Sequence, residues 1–113
     1  MTSADNTDLG AALMRLVRTI EARKGAPADQ SYTASLLAAG VAKCAKKFGE
    51  EATETVIAAA SGDAKALTHE AADALYHLLV LLAAAGVPAS AVAAELARRE
   101  GVSGHEEKAG RKQ

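Results

Sequence analysis

Alanine fills 29 of the 113 positions, and this narrows the possible folds more than any other feature of the chain. It is the strongest helix former and is depleted in strands, so the sequence leans to an all-α fold. Alanine also buries little area, so helices packed through it gain less apolar burial per residue than leucine-rich ones. A second subunit would make up part of that shortfall. The length admits one domain, with no room for a second core. Thirteen Lys plus Arg stand against 14 Asp plus Glu, so no global field recruits nucleic acid or an anionic membrane. A charged partner must be met by a local cluster instead. Cys44 is the single cysteine, which excludes an internal disulfide and suits a reducing cytoplasm. With no base marked for it, it reads as a small buried apolar residue. The start, MTSADNTDLG, lacks a basic n-region and is not expected to be a signal peptide. The most apolar run, Leu78 to Val87, ends at Pro88 at about half the ~20 residues needed to span a bilayer.

Periodicity predicts four main helices with short connections, a helical bundle. Residues 1–7 are polar and expected to fray, and residues 8–102 form the folded domain. From Asp8 to about Lys24, Leu9, Leu13, Leu16, Val17 and Ile20 recur at helical spacing, and Gly25-Ala-Pro27 stops the run. A second helix is expected from about Thr33 to Ala60, capped by Ser31 or Thr33. Gly40 and Gly49 fall inside it, each costing up to about 1 kcal/mol against alanine, so each calls for a bend or a close backbone approach. Ser61-Gly62-Asp63 reads as a turn that caps a third helix, about 63–85, closed by Gly86 and Pro88. A fourth covers about 89–100. In the tail, 103–113, Ser103-Gly-His-Glu106 fits a capping box for a short last helix, although a loose tail fits equally.

The chemistry lies in the carboxylates. Glu50, Glu51 and Glu54 are spaced i, i+1, i+4, so their heads can converge on one side of a helix. Glu70 and Asp73 stand at i, i+3 on the next helix. The turn makes the two helices antiparallel neighbours and brings the acidic sets level. A solvated face is the competing reading, since Lys46–Glu50 and Lys47–Glu51 are both i, i+4 pairs. Against it, Glu70 and Asp73 are surrounded by Ala71, Ala72, Ala74, Leu75, Leu78 and Leu79, with Lys65 the nearest Lys or Arg in that helix. Carboxylates gathered without a matching cation repel, and a hard divalent cation with oxygen ligands turns that to use. Mg²⁺ suits a phosphate substrate, polarising it and helping to activate water. A di-iron bundle would need Glu-x-x-His, where this chain has Asp73; His77, one turn on, reads as a hydrogen-bonded structural partner. Lys43, Lys46 and Lys47 lie one to two turns before the carboxylates and can meet a polyphosphate. Arg23, Lys24, Lys108 and Arg111 are weaker candidates.

Taken together, Ser31-Tyr32-Thr33, Lys46-Lys47-x-Gly49-Glu50-Glu51-x-x-Glu54, Glu70-x-x-Asp73-x-x-Tyr76-His77-x-Leu79 and Glu107-Lys108-Ala-x-Arg111 resemble the phosphoribosyl-ATP pyrophosphohydrolases of histidine biosynthesis. The resemblance runs over about residues 12–111. The paired acidic motif is shared with the wider MazG-like all-α nucleotide pyrophosphohydrolases; the other three elements narrow it. The resemblance implies attack of water on the α–β phosphoanhydride of phosphoribosyl-ATP, with Mg²⁺ as cofactor and a homodimeric helical assembly. It implies Glu50, Glu51, Glu54 and Asp73 as metal ligands, Glu70 as ligand or water-orienting base, and Lys47 on a phosphate. The cyclohydrolase to which many members are fused has no room in 113 residues, so a stand-alone form is expected. A house-cleaning nucleotide pyrophosphohydrolase and a non-catalytic helical scaffold are the alternatives.

Overall fold

The computed structural model describes residues 7–102 and 104. The polar start at residues 1–6 and the expected capping box at Ser103–Glu106 lie outside the described residues, as do Lys108 and Arg111. Within them five α-helices and no strand are present: α1 (Leu9–Arg23), α2 (Tyr32–Ala39), α3 (Val41–Ser61), α4 (Ala64–Ala84) and α5 (Ala89–Arg98). Short polar residues start α1, α2 and α4. The Asp8 side chain accepts from the Ala11 N–H, Ser31 Oγ from the Ala34 N–H and Asp63 from the Ala66 N–H, each at 3.0 Å. These caps satisfy donors that the helix itself leaves free.

The expected second helix is divided in two. Gly40 adopts φ 96°, ψ 175°, a region open essentially only to glycine, and ends α2 before α3 begins. Gly49, by contrast, stays inside α3 with ordinary helical geometry. Neither glycine has an atom within 4 Å of where a Cβ would stand, so backbone conformation alone separates them. Gly40→Ala is therefore expected to lose about 1–3 kcal/mol, and Gly49→Ala to gain about 0.5–1 kcal/mol. Urea melts of the two variants check the opposite signs.

Gly62, at φ 77° in the left-handed region, reverses the chain between α3 and α4. These two long helices form the most extensive contact among the described elements; α1 packs mainly across α4, α2 against both α3 and α4, and α5 touches α4 over a small area. The core is compact, with Ile20, Leu36, Cys44 and Val80 buried and Leu16, Leu37, Tyr76 and Leu79 packed against them. The bend at Gly40 lets α3 fold back on α2, where the Cys44 thiol donates to the Leu36 carbonyl at 3.2 Å. Burial pushes that thiol's pKa up, so Cys44 is the small core residue its isolation suggested. No single described helix is long and apolar enough to cross a membrane.

Candidate functional site

The site lies on the hairpin of α3 and α4. Glu51 and Thr55 are one turn apart on α3, and the Thr55 hydroxyl lies 2.8 Å from the Glu51 carbonyl and 3.1 Å from the Glu70 carbonyl. Thr55 thus ties the two helices at the level where their carboxylates meet. Glu51, Glu70 and Asp73, all half-buried, each offer an oxygen within 4.8 Å of the others'. Three oxygen donors from two rigid helices are what a hard cation takes.

The electrostatics agree with the geometry. Glu70 holds its proton more tightly than a free carboxyl, first because its surroundings are partly dry, then because Glu51 stands close, with Asp73 and Glu54 adding in the same direction and His69 opposing. Packing therefore works against the full set of negative charges, and a divalent cation would relieve that repulsion. The donor set fits Mg²⁺ on these grounds.

The other acidic residues are placed differently. Glu50 turns toward Lys47, whose Nζ is 3.2 Å away, and that bond lowers the Glu50 pKa and raises that of Lys47. The pair is i, i+3 rather than either of the i, i+4 pairs that the spacing offered. Glu54 is exposed at the rim, outside the three-oxygen group but near enough to act on Glu70. Lys43 and Lys46 are exposed and act on Glu50 at a distance. Arg23 closes α1, a helix packed on α2 and α4. Asp73 does have a basic neighbour that the sequence reading passed over: His69 Nε2 lies 3.3 Å from its carboxylate. The i, i+4 spacing on α4 was the available signal, as it was for Thr55 after Glu51 on α3.

His77 is 6% exposed, as a structural role requires, yet among the described residues its Nδ1 has no hydrogen-bond partner. Aromatic edges hold it instead: the Tyr76 ring centroid is 4.9 Å away at 76° and that of Tyr32 is 6.1 Å away at 86°. Burial lowers its pKa, against the opposing pull of Glu51, Asp73 and Glu50.

An antiparallel helix pair carrying Glu-Glu-x-x-Glu on one arm and Glu-x-x-Asp on the other, within an all-α fold, places the chain among the all-α nucleotide pyrophosphohydrolases. Relatives narrow the class. Residues 13–100 match the model of the family described as phosphoribosyl-ATP pyrophosphohydrolase. Proteins named phosphoribosyl-ATP pyrophosphatase are 63% identical in Cereibacter sphaeroides (strain ATCC 17025), over 88% of this chain and 96% of that protein, and 63% identical in Dinoroseobacter shibae, over 88% and 97%. A third of that name, from Paracoccus denitrificans, is 62% identical over 88% of this chain and 93% of its own length. The chain belongs to the phosphoribosyl-ATP pyrophosphohydrolase family.

Proposed function

We propose that this chain hydrolyses phosphoribosyl-ATP to phosphoribosyl-AMP and pyrophosphate, the second step of histidine biosynthesis, in the cytoplasm. Water adds to the α-phosphorus, the bond from that phosphorus to the bridging oxygen breaks, and pyrophosphate leaves with the electron pair. The convergence of Glu51, Glu70 and Asp73 in a chain of this family carries the reading.

Glu51, Glu70 and Asp73 would hold Mg²⁺, with Glu50 and Glu54 at the rim of the site. Bound there, Mg²⁺ supplies charge that polarises phosphoryl oxygens and offsets the carboxylates. Glu70, whose proton affinity is already raised, is suited to take the proton of the attacking water. Lys47, anchored by Glu50, presents its ammonium to a phosphate, and Lys43 and Lys46 extend the positive side of α3. The direct test is the product. Purified protein should release pyrophosphate, and no orthophosphate, from phosphoribosyl-ATP, and should turn it over faster than any of a panel of deoxynucleoside triphosphates. Faster turnover of a deoxynucleotide would assign a house-cleaning role instead.

Lys47→Ala is expected to lower kcat/KM about tenfold or more, since charge-assisted phosphate contacts are among the stronger hydrogen bonds. Its melting temperature should scarcely change, because an exposed helix pair contributes little. Unaltered kinetics would return Lys47 to a surface role.

The functional unit we propose is a homodimer. Leu9 and Met14 on α1, Val56 and Ile57 on α3, and Val92 and Leu96 on α5 are all exposed, with Val56 at 67% and Leu96 at 61%. So much large apolar surface outside so small a buried core is what a second copy would cover. Sedimentation should give a dimer at low micromolar concentration; a stable monomer there would remove the idea.

A further inference from the structure

Tyr32 begins α2 directly after its serine cap, and 54% of it is exposed. A half-exposed tyrosine at the first turn of a short helix is not needed to form that helix. Its ring is nonetheless held in a defined orientation. The plane lies within 21° of Tyr76, with centroids 6.4 Å apart, and the ring meets His77 edge-on. Tyr76 is fixed in turn through its hydroxyl, 2.5 Å from Thr33 Oγ1. Among the described residues His77 Nδ1 stays buried without a partner, so this aromatic group is not optimised for packing alone.

The group also stands beside the acidic cluster. His77 follows Asp73 by four residues on α4, one helical turn or ~6 Å along the axis. From α3, Lys47 lies near enough to Tyr32 for a tyrosinate there to raise its pKa. A nucleotide with its phosphates at Glu51, Glu70, Asp73 and Lys47 therefore has an ordered aromatic group one helical turn along α4 from them.

We propose that Tyr32, backed by Tyr76 and His77, is the stacking platform for the purine of the substrate, and that it selects a purine alkylated at N1. This rests on the substrate proposed above. An adenine substituted at N1 by a sugar carries a positive charge at neutral pH, whereas the adenine of ordinary nucleotides is neutral. A tyrosine face attracts the cationic ring through its quadrupole as well as by stacking, a gain the neutral base lacks. Tyr32 thereby distinguishes phosphoribosyl-ATP from ATP at the ring, away from the phosphates both share.

The test needs no turnover. The chain has two tyrosines, one phenylalanine and no tryptophan, so the Tyr32 ring protons can be assigned by comparison with Tyr32→Phe. In Mg²⁺ buffer, 1-methyl-AMP (cationic ring) and AMP (neutral ring) are titrated while those resonances are followed. Both should shift the Tyr32 signals upfield, and 1-methyl-AMP should bind about two- to fivefold tighter, the range of an exposed cation–π contact. Tyr32→Phe should keep the preference, and Tyr32→Leu should abolish it. In turnover, Tyr32→Leu should raise KM for phosphoribosyl-ATP with kcat nearly unchanged. Equal affinities in the wild type, or a preference that survives Tyr32→Leu, overturns the proposal. So does a Tyr32→Leu variant that loses only its dimer, which would make the ring a subunit contact. If phosphoribosyl-ATP is not hydrolysed at all while the 1-methyl-AMP preference holds, the proposed reaction fails and the platform stands.

Discussion

Glu51→Gln is expected to lower turnover of phosphoribosyl-ATP by about 10²–10⁴-fold while leaving the metal-free protein at least as stable as wild type. The substitution keeps the shape of the side chain and removes one charge. In the apo protein that charge stands within 4.8 Å of Glu70 and Asp73 and raises the proton affinity of Glu70, so its removal relieves repulsion. Mg²⁺ should act in the opposite sense. Binding to the folded state alone stabilises the wild type by ~2.7 kcal/mol at a hundred times the dissociation constant, and the variant should lose most of that gain. A surface ion pair predicts the reverse: slightly lower apo stability, no response to Mg²⁺ and no kinetic change. Thermal melts with and without Mg²⁺, alongside steady-state rates, separate the two by sign. A less stable but fully active Glu51→Gln would end the metal-site assignment of Glu51.

That cluster could be read in outline from the sequence because two helical spacings and one turn place it. Glu51 and Asp73 lie at similar distances from Gly62, so an antiparallel hairpin must bring them level. The finer division was out of reach. Whether Lys47 pairs with Glu50 or Glu51 depends on rotamers that i, i+3 and i, i+4 spacings both permit, and the pair formed takes Glu50 out of the central group. Gly40 and Gly49 look alike in the sequence, since both interrupt an apparently continuous helical pattern. Only Gly40 leaves helical geometry, because α3 must fold back to set Cys44 against Leu36. His77 was legible as a structural residue, expected there to be hydrogen-bonded. Its unpaired Nδ1 was not, because the aromatic edges around it come from Tyr32, distant in sequence, as well as from its neighbour Tyr76.

Leu36→Ala should have the largest effect on stability, a loss of about 2–5 kcal/mol. In an alanine-rich chain a few larger side chains carry most of the apolar burial, and Leu36 is one of them, at 3% exposure in the central cluster with Ile20, Cys44 and Val80. Its removal leaves a cavity between α2, the Cys44 side of α3 and Val80 of α4, and helices already in close alanine contact have little room to collapse into it. For a domain of this size each kcal/mol lowers the melting temperature by roughly 4–8 °C, so the drop should be roughly 8–40 °C. The damage should also be uneven. α2 carries Tyr32 and Thr33, whereas Glu51, Glu70 and Asp73 are on α3 and α4, tied together through Thr55. Below its melting point, Leu36→Ala should therefore keep its stabilisation by Mg²⁺ while KM for the nucleotide rises. A melting temperature lowered by only a few degrees would show that α2 is not held by this core. Loss of the Mg²⁺ response in a folded variant would show that the carboxylates depend on α2 for their alignment, and that the hairpin does not build the site by itself.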